Sequence, residues 1–180
     1  TATARADAPV LKVESLAVRY GMHEVCSDVS IEVRRGKTLA LIGESGSGKS
    51  VTVLAVTGLL GGGGVIDRGS ITLEGAEISR LSERERRRRG LFGRKIGMIF
   101  QNPSRALDPV HTVGQQLNES LSLTGLAGRK ALRLKGVEWL QHVGLPDPDE
   151  TLDRYPHQLS GGQRQRAMIA IALASEPELL

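Results

Sequence analysis

Cysteine is nearly absent: Cys26 stands alone in a chain of 180 residues. A single thiol closes no internal disulfide and builds no metal-ligand cluster, so an oxidising compartment is not indicated. Aromatic side chains are scarce too, five in all (Tyr20, Phe92, Phe100, Trp139 and Tyr155). That is too few for the stacking platforms that hold single-stranded nucleic acid. Long hydrophobic runs are missing. The longest mostly apolar stretch, Val51 to Leu60, is interrupted by Thr52 and Thr57 and is too short to cross a bilayer. The opening TATARADAPV has no apolar segment of the kind a secretory signal needs. These absences lead to the expectation of a soluble cytosolic chain.

What is present suits a globular domain. Hydrophobic residues make up 39% and charged residues 24%, close to the averages of folded proteins and enough for a real core. The net charge of +4 invites a nucleic-acid reading, so its location matters. The run from Arg84 to Lys95 holds seven basic residues against Glu85 alone. Without it the chain would be slightly acidic. One short basic run reads as a solvated helix face or loop, and no nucleic-acid partner is expected.

Along the chain the pattern changes once. Leu11, Val13, Leu16, Val18 and Tyr20 nearly alternate, and Val29, Ile31 and Val33 alternate cleanly, which predicts strands. Thr38–Ile42 is a short apolar run suited to a strand buried on both faces. Glycines at 61–64 end a helical stretch. Gly69–Gly75 is a further alternating strand, and Lys95–Phe100 (KIGMIF) a further core strand stopped by Asn102 and Pro103. From about Thr112 the spacing becomes helical, with Trp139 read as a core or interface side chain. Ser160 caps a last helix whose Ala167–Ala174 portion is apolar all round and predicted to be buried. Leu179 and Leu180 look like the opening of another strand. Strands, then helices, then a hint of a strand give an α/β domain with a helical insertion.

Directly after Thr38–Ile42 comes Gly43-Glu44-Ser45-Gly46-Ser47-Gly48-Lys49-Ser50, which satisfies G-x-x-x-x-G-K-[ST]. This is a phosphate-binding loop. Glycines let the backbone wrap a phosphate with its N–H groups turned inward, where side chains would obstruct. Lys49 brings a cation to the β- and γ-phosphates, and the Ser50 hydroxyl ligates Mg²⁺. The helix that follows turns its positive end to the same anion. A second signal is Leu159-Ser160-Gly161-Gly162-Gln163. Taken alone it is a capped helix start with two glycines, where bare backbone donors and a hydroxyl could also meet an anion.

In combination these residues resemble the ATP-binding subunits of ABC transporters. LSGGQ resembles the family's signature motif, Gly43–Ser50 its Walker A loop, and Gln101, after KIGMIF, its Q-loop glutamine. The segments GESGSGKSVT, LSERE, MIFQNP, LDPVHTVGQQL, VGLPDP and YPHQLSGGQRQRAMIAIALA are similar to the branch that imports oligopeptides, dipeptides, nickel and glutathione. The resemblance covers Val10 to Leu180. It implies a P-loop NTPase fold: an N-terminal antiparallel β subdomain, a parallel core sheet, and a helical subdomain from about 104 to 165, within an ATP-binding domain spanning 10–180 behind a tail at 1–9.

The resemblance also implies roles for named residues. Tyr20 sits where the family places an aromatic on adenine, and Lys49 and Gln101 serve catalysis. Ser50 and Gln101 would hold Mg²⁺. Ser160, Gly161, Gly162 and Gln163 would face the ATP of a second ATP-binding subunit, and transmembrane permease subunits would complete a transporter at the cytoplasmic membrane face. The family's Walker B aspartate, catalytic glutamate, D-loop and switch histidine come after the signature helix, and this sequence ends at Leu180. The expectation is a natural polypeptide that continues, with residues 1–180 inactive alone and incomplete as a fold. Glu176 and Glu178 flank Pro177 in a connector and do not suit a catalytic base.

The remaining polar candidates read as structure. His157 belongs to the segment before the signature, Cys26 is a packed small residue, and Asp147, Asp149, Glu150 and Asp153 form a solvated acidic loop without metal spacing. Two other functions stay open: a nucleotide-binding fragment without catalysis, and a soluble ABC ATPase acting on nucleic acid or ribosomes.

Overall fold

The structure is a computed structural model that describes residues 8–180; most of the expected tail at 1–9 lies outside the described residues. The chain divides into two compact units, one ending at Arg89 and the other spanning Gly90–Leu180.

The first unit is built on an antiparallel sheet in the order β2-β1-β3-β4, with β1 Pro9–Tyr20, β2 His23–Arg34, β3 Gly64–Leu73 and β4 Ala76–Glu77. Strand β1 lies between β2 and β3, so its side chains are covered best: Val10, Leu11, Val13, Leu16, Ala17 and Val18 are buried. Three consecutive buried residues, Leu16 to Val18, break strict alternation. The reason is a bulge: the register slips between Val13 and Leu16 on the β2 side, and Ser15 adopts a φ of 45°. An extra residue re-phases the pleat. Across the same irregularity β3 contributes Gly69 at φ +88°, where a Cβ would come within 2.5 Å of the Glu14 and Ser15 carbonyl oxygens. Helix α1 (Lys49–Thr57) packs Ala55 and Val56 into the protein and contacts β1 and β2. Helix α2 (Glu83–Arg88) starts with a capping box between Ser82 and Glu85.

Thr38–Ile42 departs from expectation. It is not a strand, and Ile42 is 93% exposed. A buried parallel strand exists only with neighbours along both edges, and no described strand lies beside this one.

The second unit is helical: α3 Pro103–Ala106, α4 Val113–Ser122, α5 Arg129–His142, α6 Pro148–Leu152 and α7 Gly161–Leu173. Its core gathers Val113, Leu117 and Leu121 of α4, Leu140 of α5, Leu152 of α6 and Ala167, Ala170 and Ala174 at the end of α7, with Trp139 partly buried against it. The Ala167–Ala174 portion is buried along one stripe only; Ile169 and Ile171 to Leu173 stay half-covered. Lys95–Phe100, expected as a strand, pairs only at Ile96, in isolated parallel bridges to Phe92 and Leu179. Leu179 N–H donates to Lys95 O, and Gly97 N–H to Leu179 O. The apolar pair 179–180 therefore begins a parallel pairing with KIGMIF, while Ile99 and Phe100 remain exposed.

Replacing Gly69 by Ala should destabilise the intact protein by about 3 kcal/mol, combining a left-handed backbone with a backbone clash. The urea unfolding midpoint measures it. An unchanged midpoint would mean that the bulge can relax around a methyl group.

Candidate functional site

The phosphate loop ends in a helix start that nothing caps. Gly48 is the N-cap of α1 with φ +88° and no side-chain hydrogen bond. An α-helix leaves its first N–H groups without intrahelical partners, so the first turn of α1 offers bare donors on the positive end of the helix dipole. Gly46 is also left-handed, at φ +84°, with open space where a side chain would stand. The concave backbone this produces fits an oxyanion.

Two features hold the loop open. A Cβ on Gly48 would sit 3.0 Å from Cys26 Cβ and 3.2 Å from Val25 O, so β2 forms a floor directly beneath it. Thr52 is buried, and its hydroxyl donates to Gly48 O at 3.0 Å while its N–H donates to the same oxygen at 2.8 Å. Sequence reasoning treated Cys26 as simple packing and passed over Val25 and Thr52. The signal for Thr52 was its place one helical turn after Gly48; for Cys26 it was a small residue on an otherwise polar stretch of strand.

Lys49 lies folded into its own loop. Its Nζ donates to Gly43 O at 2.8 Å, Glu44 O at 2.6 Å and Ser47 Oγ at 3.1 Å. The amine thus sits among oxygens at the mouth of the loop, and no carboxylate pairs with it among the described residues. Three neutral acceptors hold it more weakly than a phosphate would.

Tyr20 closes β1 and pairs with His23 and Gly64. Its ring lies over Gly64, where a Cβ would meet ring atoms at 2.6 Å. Val18, opposite Cys26 in the ladder, is two residues back along the strand.

The second helix start behaves differently. Ser160 Oγ accepts from Gln163 N–H at 3.3 Å, and Gln163 Oε1 accepts from Ser160 N–H at 2.8 Å, a complete capping box. The Ser160 hydroxyl proton remains free to donate, and Gly161 and Gly162 are exposed, with nothing within 4 Å of either where a Cβ would stand. A phosphate could approach from outside the chain. Gln101 is exposed just before α3, whose N-cap Asn102 accepts from Ser104 N–H, and α3 contacts α7. Tyr20 and Gly43–Ser50 thus share the first unit, Gln101 and Ser160–Gln163 the second.

Other candidates resolve as structure. The His157 ring stacks on Tyr155 with centroids 5.6 Å apart. Arg133 bridges Asp149 and Asp153, and Asp153 titrates below the usual carboxylate range because that guanidinium donates to it. No cluster of His, Cys, Asp or Glu able to hold a metal occurs among the described residues. The basic run is not uniformly solvated: Arg84 and Arg87–Arg89 are exposed, but Arg86 is buried, because the chain turns it under the sheet to reach backbone carbonyls.

Comparison with known proteins agrees with this geometry. Residues 26–180 match the family described as ABC transporter. The dipeptide transport ATP-binding protein DppD of Escherichia coli is 40% identical over 175 residues, covering 95% of this chain and 53% of that protein. The oligopeptide transport ATP-binding protein OppD of Bacillus subtilis is also 40% identical, covering 95% and 49%. The chain therefore spans about half the length of these curated relatives. Among solved structures, the dimeric post-hydrolysis state of the ATP-binding cassette MJ0796 with ADP and Pi superposes with a TM-score of 0.78 at 25% identity, covering 93% of this chain and 70% of that one.

The capping box separates two roles of Ser160. Ser160→Ala should lower stability by about 1 kcal/mol, whereas Ser160→Asp should retain it, since aspartate caps a helix as well as serine. Urea unfolding of both variants tests this; equal losses would show that the cap is not what the hydroxyl contributes.

Proposed function

Because the chain belongs to the ABC transporter family, we propose that it is the nucleotide-binding part of an importer for peptides or similar small solutes. It binds Mg²⁺-ATP and, in the intact protein, hydrolyses it. The observation that carries this reading is the uncapped, positive start of α1 behind a left-handed Gly48, with the Lys49 ammonium at its mouth. The importer branch is supported by the names and 40% identity of the DppD and OppD relatives.

In this reading the N–H groups from Gly46 to Ser50 receive the phosphates. Lys49 exchanges its three loop acceptors for the β- and γ-phosphate oxygens, and the adenine rests on Tyr20. The Ser50 hydroxyl, on the first turn of α1, is the oxygen donor that would hold Mg²⁺. The ion would neutralise phosphate charge when bound, and Ser50 would orient it.

The contrast between the two helix starts supports a second subunit as partner. Gly43–Ser50 already cradles one set of phosphates, so the exposed, self-capped start at Ser160–Gln163 serves the ATP of a second subunit. Two such subunits close on two ATP molecules, because the γ-phosphate charge is satisfied only when both helix starts converge on it. Hydrolysis removes that contact and reopens the pair. No described helix is long and apolar enough to cross a membrane. By its likeness to the DppD and OppD transport ATP-binding proteins, the subunit is proposed to work with permease subunits at the cytoplasmic membrane face, with Gln101 at the junction.

Lys49→Ala should abolish most Mg²⁺-ATP affinity in calorimetry, because it deletes the loop's only side-chain cation. Tyr20→Ala should cost less, about 1–3 kcal/mol by analogy with aromatic–base stacking. Normal ATP binding by Lys49→Ala would refute the phosphate-loop assignment. Ser160→Asp in the intact protein should leave ATP binding by one subunit unchanged while preventing ATP-dependent dimerisation, since it keeps the cap but places a negative charge against phosphate. Sedimentation with a non-hydrolysable ATP analogue reads the result. A normal dimer would remove Ser160 from the partner's site.

A further inference from the structure

Arg86 is a buried cation with no anion beside it among the described residues. Only 5% of its surface is exposed, and no carboxylate pairs with it among the described residues. Instead its Nη2 donates to Ile78 O at 2.7 Å and its Nε to Leu81 O at 3.1 Å. Burying a guanidinium against neutral carbonyls is costly, and burial draws its titration below the usual arginine value, although it stays charged at neutral pH. An apolar side chain would fill the same space without that cost.

The guanidinium lies at the far end of the phosphate helix. Gly58 is the C-cap of α1, at φ 70°, with its N–H donating to Ala55 O. A Cβ on Gly58 would fall on Arg86 Nη1 and lie 2.6 Å from Cζ, so the charged plane is pressed against the helix end. A cation there complements the negative pole of the dipole whose positive pole faces the phosphates. Ala55 and Gly58 also border a cavity of about 320 Å³ shared with Ser79, Leu81 and Arg86. With only nine residues, α1 is short enough that a tilt at its C-terminus would displace its first turn.

We propose that Arg86 is a positioning residue for nucleotide binding: it ties the C-terminal end of α1 to the turn at Ile78–Leu81 and thereby holds Lys49 and Ser50 in register with the phosphates. This rests on the phosphate-loop reading above. The planar fork matters, because it reaches two carbonyls while lying flat on Gly58; an ammonium has the charge without the plane.

The test uses the intact protein and measures Mg²⁺-ATP affinity by calorimetry, at a temperature well below each variant's unfolding midpoint. Wild type and Lys49→Ala run alongside. Arg86→Gln should weaken affinity about tenfold, as expected for a small displacement of binding groups, and Arg86→Lys should recover part of the loss. Gly58→Asn tolerates the left-handed backbone yet plants a Cβ on the guanidinium, so it should weaken binding to a similar degree with Arg86 intact. Folded Arg86→Gln that binds ATP like wild type, even with a lowered unfolding midpoint, would reduce Arg86 to a structural brace and overturn the proposal. If Arg86→Gln does not fold, wild-type affinity in Gly58→Asn overturns it in the same way. Wild type binding no better than Lys49→Ala would instead bring down the phosphate-loop reading itself.

Discussion

Everything in the first unit that bears on chemistry follows from one unmet requirement, the bare N–H groups at the start of α1. A helix normally satisfies them with a serine, threonine, aspartate or asparagine at the N-cap. Here the N-cap is Gly48 in a left-handed conformation, which exposes the donors rather than covering them. That conformation would collapse without support. Val25 and Cys26 lie beneath it, and Thr52 ties its carbonyl from the following turn. The β2 strand is thus as much a part of the proposed phosphate site as the loop itself.

The two glycine-bearing helix starts illustrate how one backbone geometry serves opposite ends. The start of α1 is open and its cation is borrowed by nearby carbonyls, a state that an anion relieves from within. The start of α7 meets its own needs through the Ser160–Gln163 box and stays ordered without a ligand. Its glycines face outward with free space around them. A surface already satisfied internally adds affinity only when a phosphate is brought to it, which is the physical basis for proposing a second subunit there. The permanence of the cap also means that Ser160 has a structural duty independent of any nucleotide.

Arg86 shows where a local reading of charge falls short. Within RERRRR no residue type marks one arginine for burial, and the run as a whole reads as solvated. Helix α2 has only six residues, so which arginine turns inward depends on where the Ile78–Leu81 turn presents its carbonyls. That placement is a property of β3, β4 and α1 together and has no signature in the run itself.

The local motifs were legible because their chemistry is set by near neighbours in the chain. Gly43–Ser50 as a loop leading into a helix, Ser160 as an N-cap, and the near-alternation of β1 and β2 all depend on spacing and residue type alone. Strand pairing could not be read so directly. Thr38–Ile42 and Lys95–Phe100 have the composition of buried parallel strands, yet the first forms no ladder and the second pairs only at Ile96. A parallel strand is defined by distant partners on both edges rather than by its own residues. The bulge that buries Leu16, Ala17 and Val18 together, the floor that β2 puts under Gly48, and the inward turn of Arg86 share this origin. Sequence determined which groups could bind a phosphate; only the tertiary structure decided what holds them in place, because that support comes from residues remote in the chain.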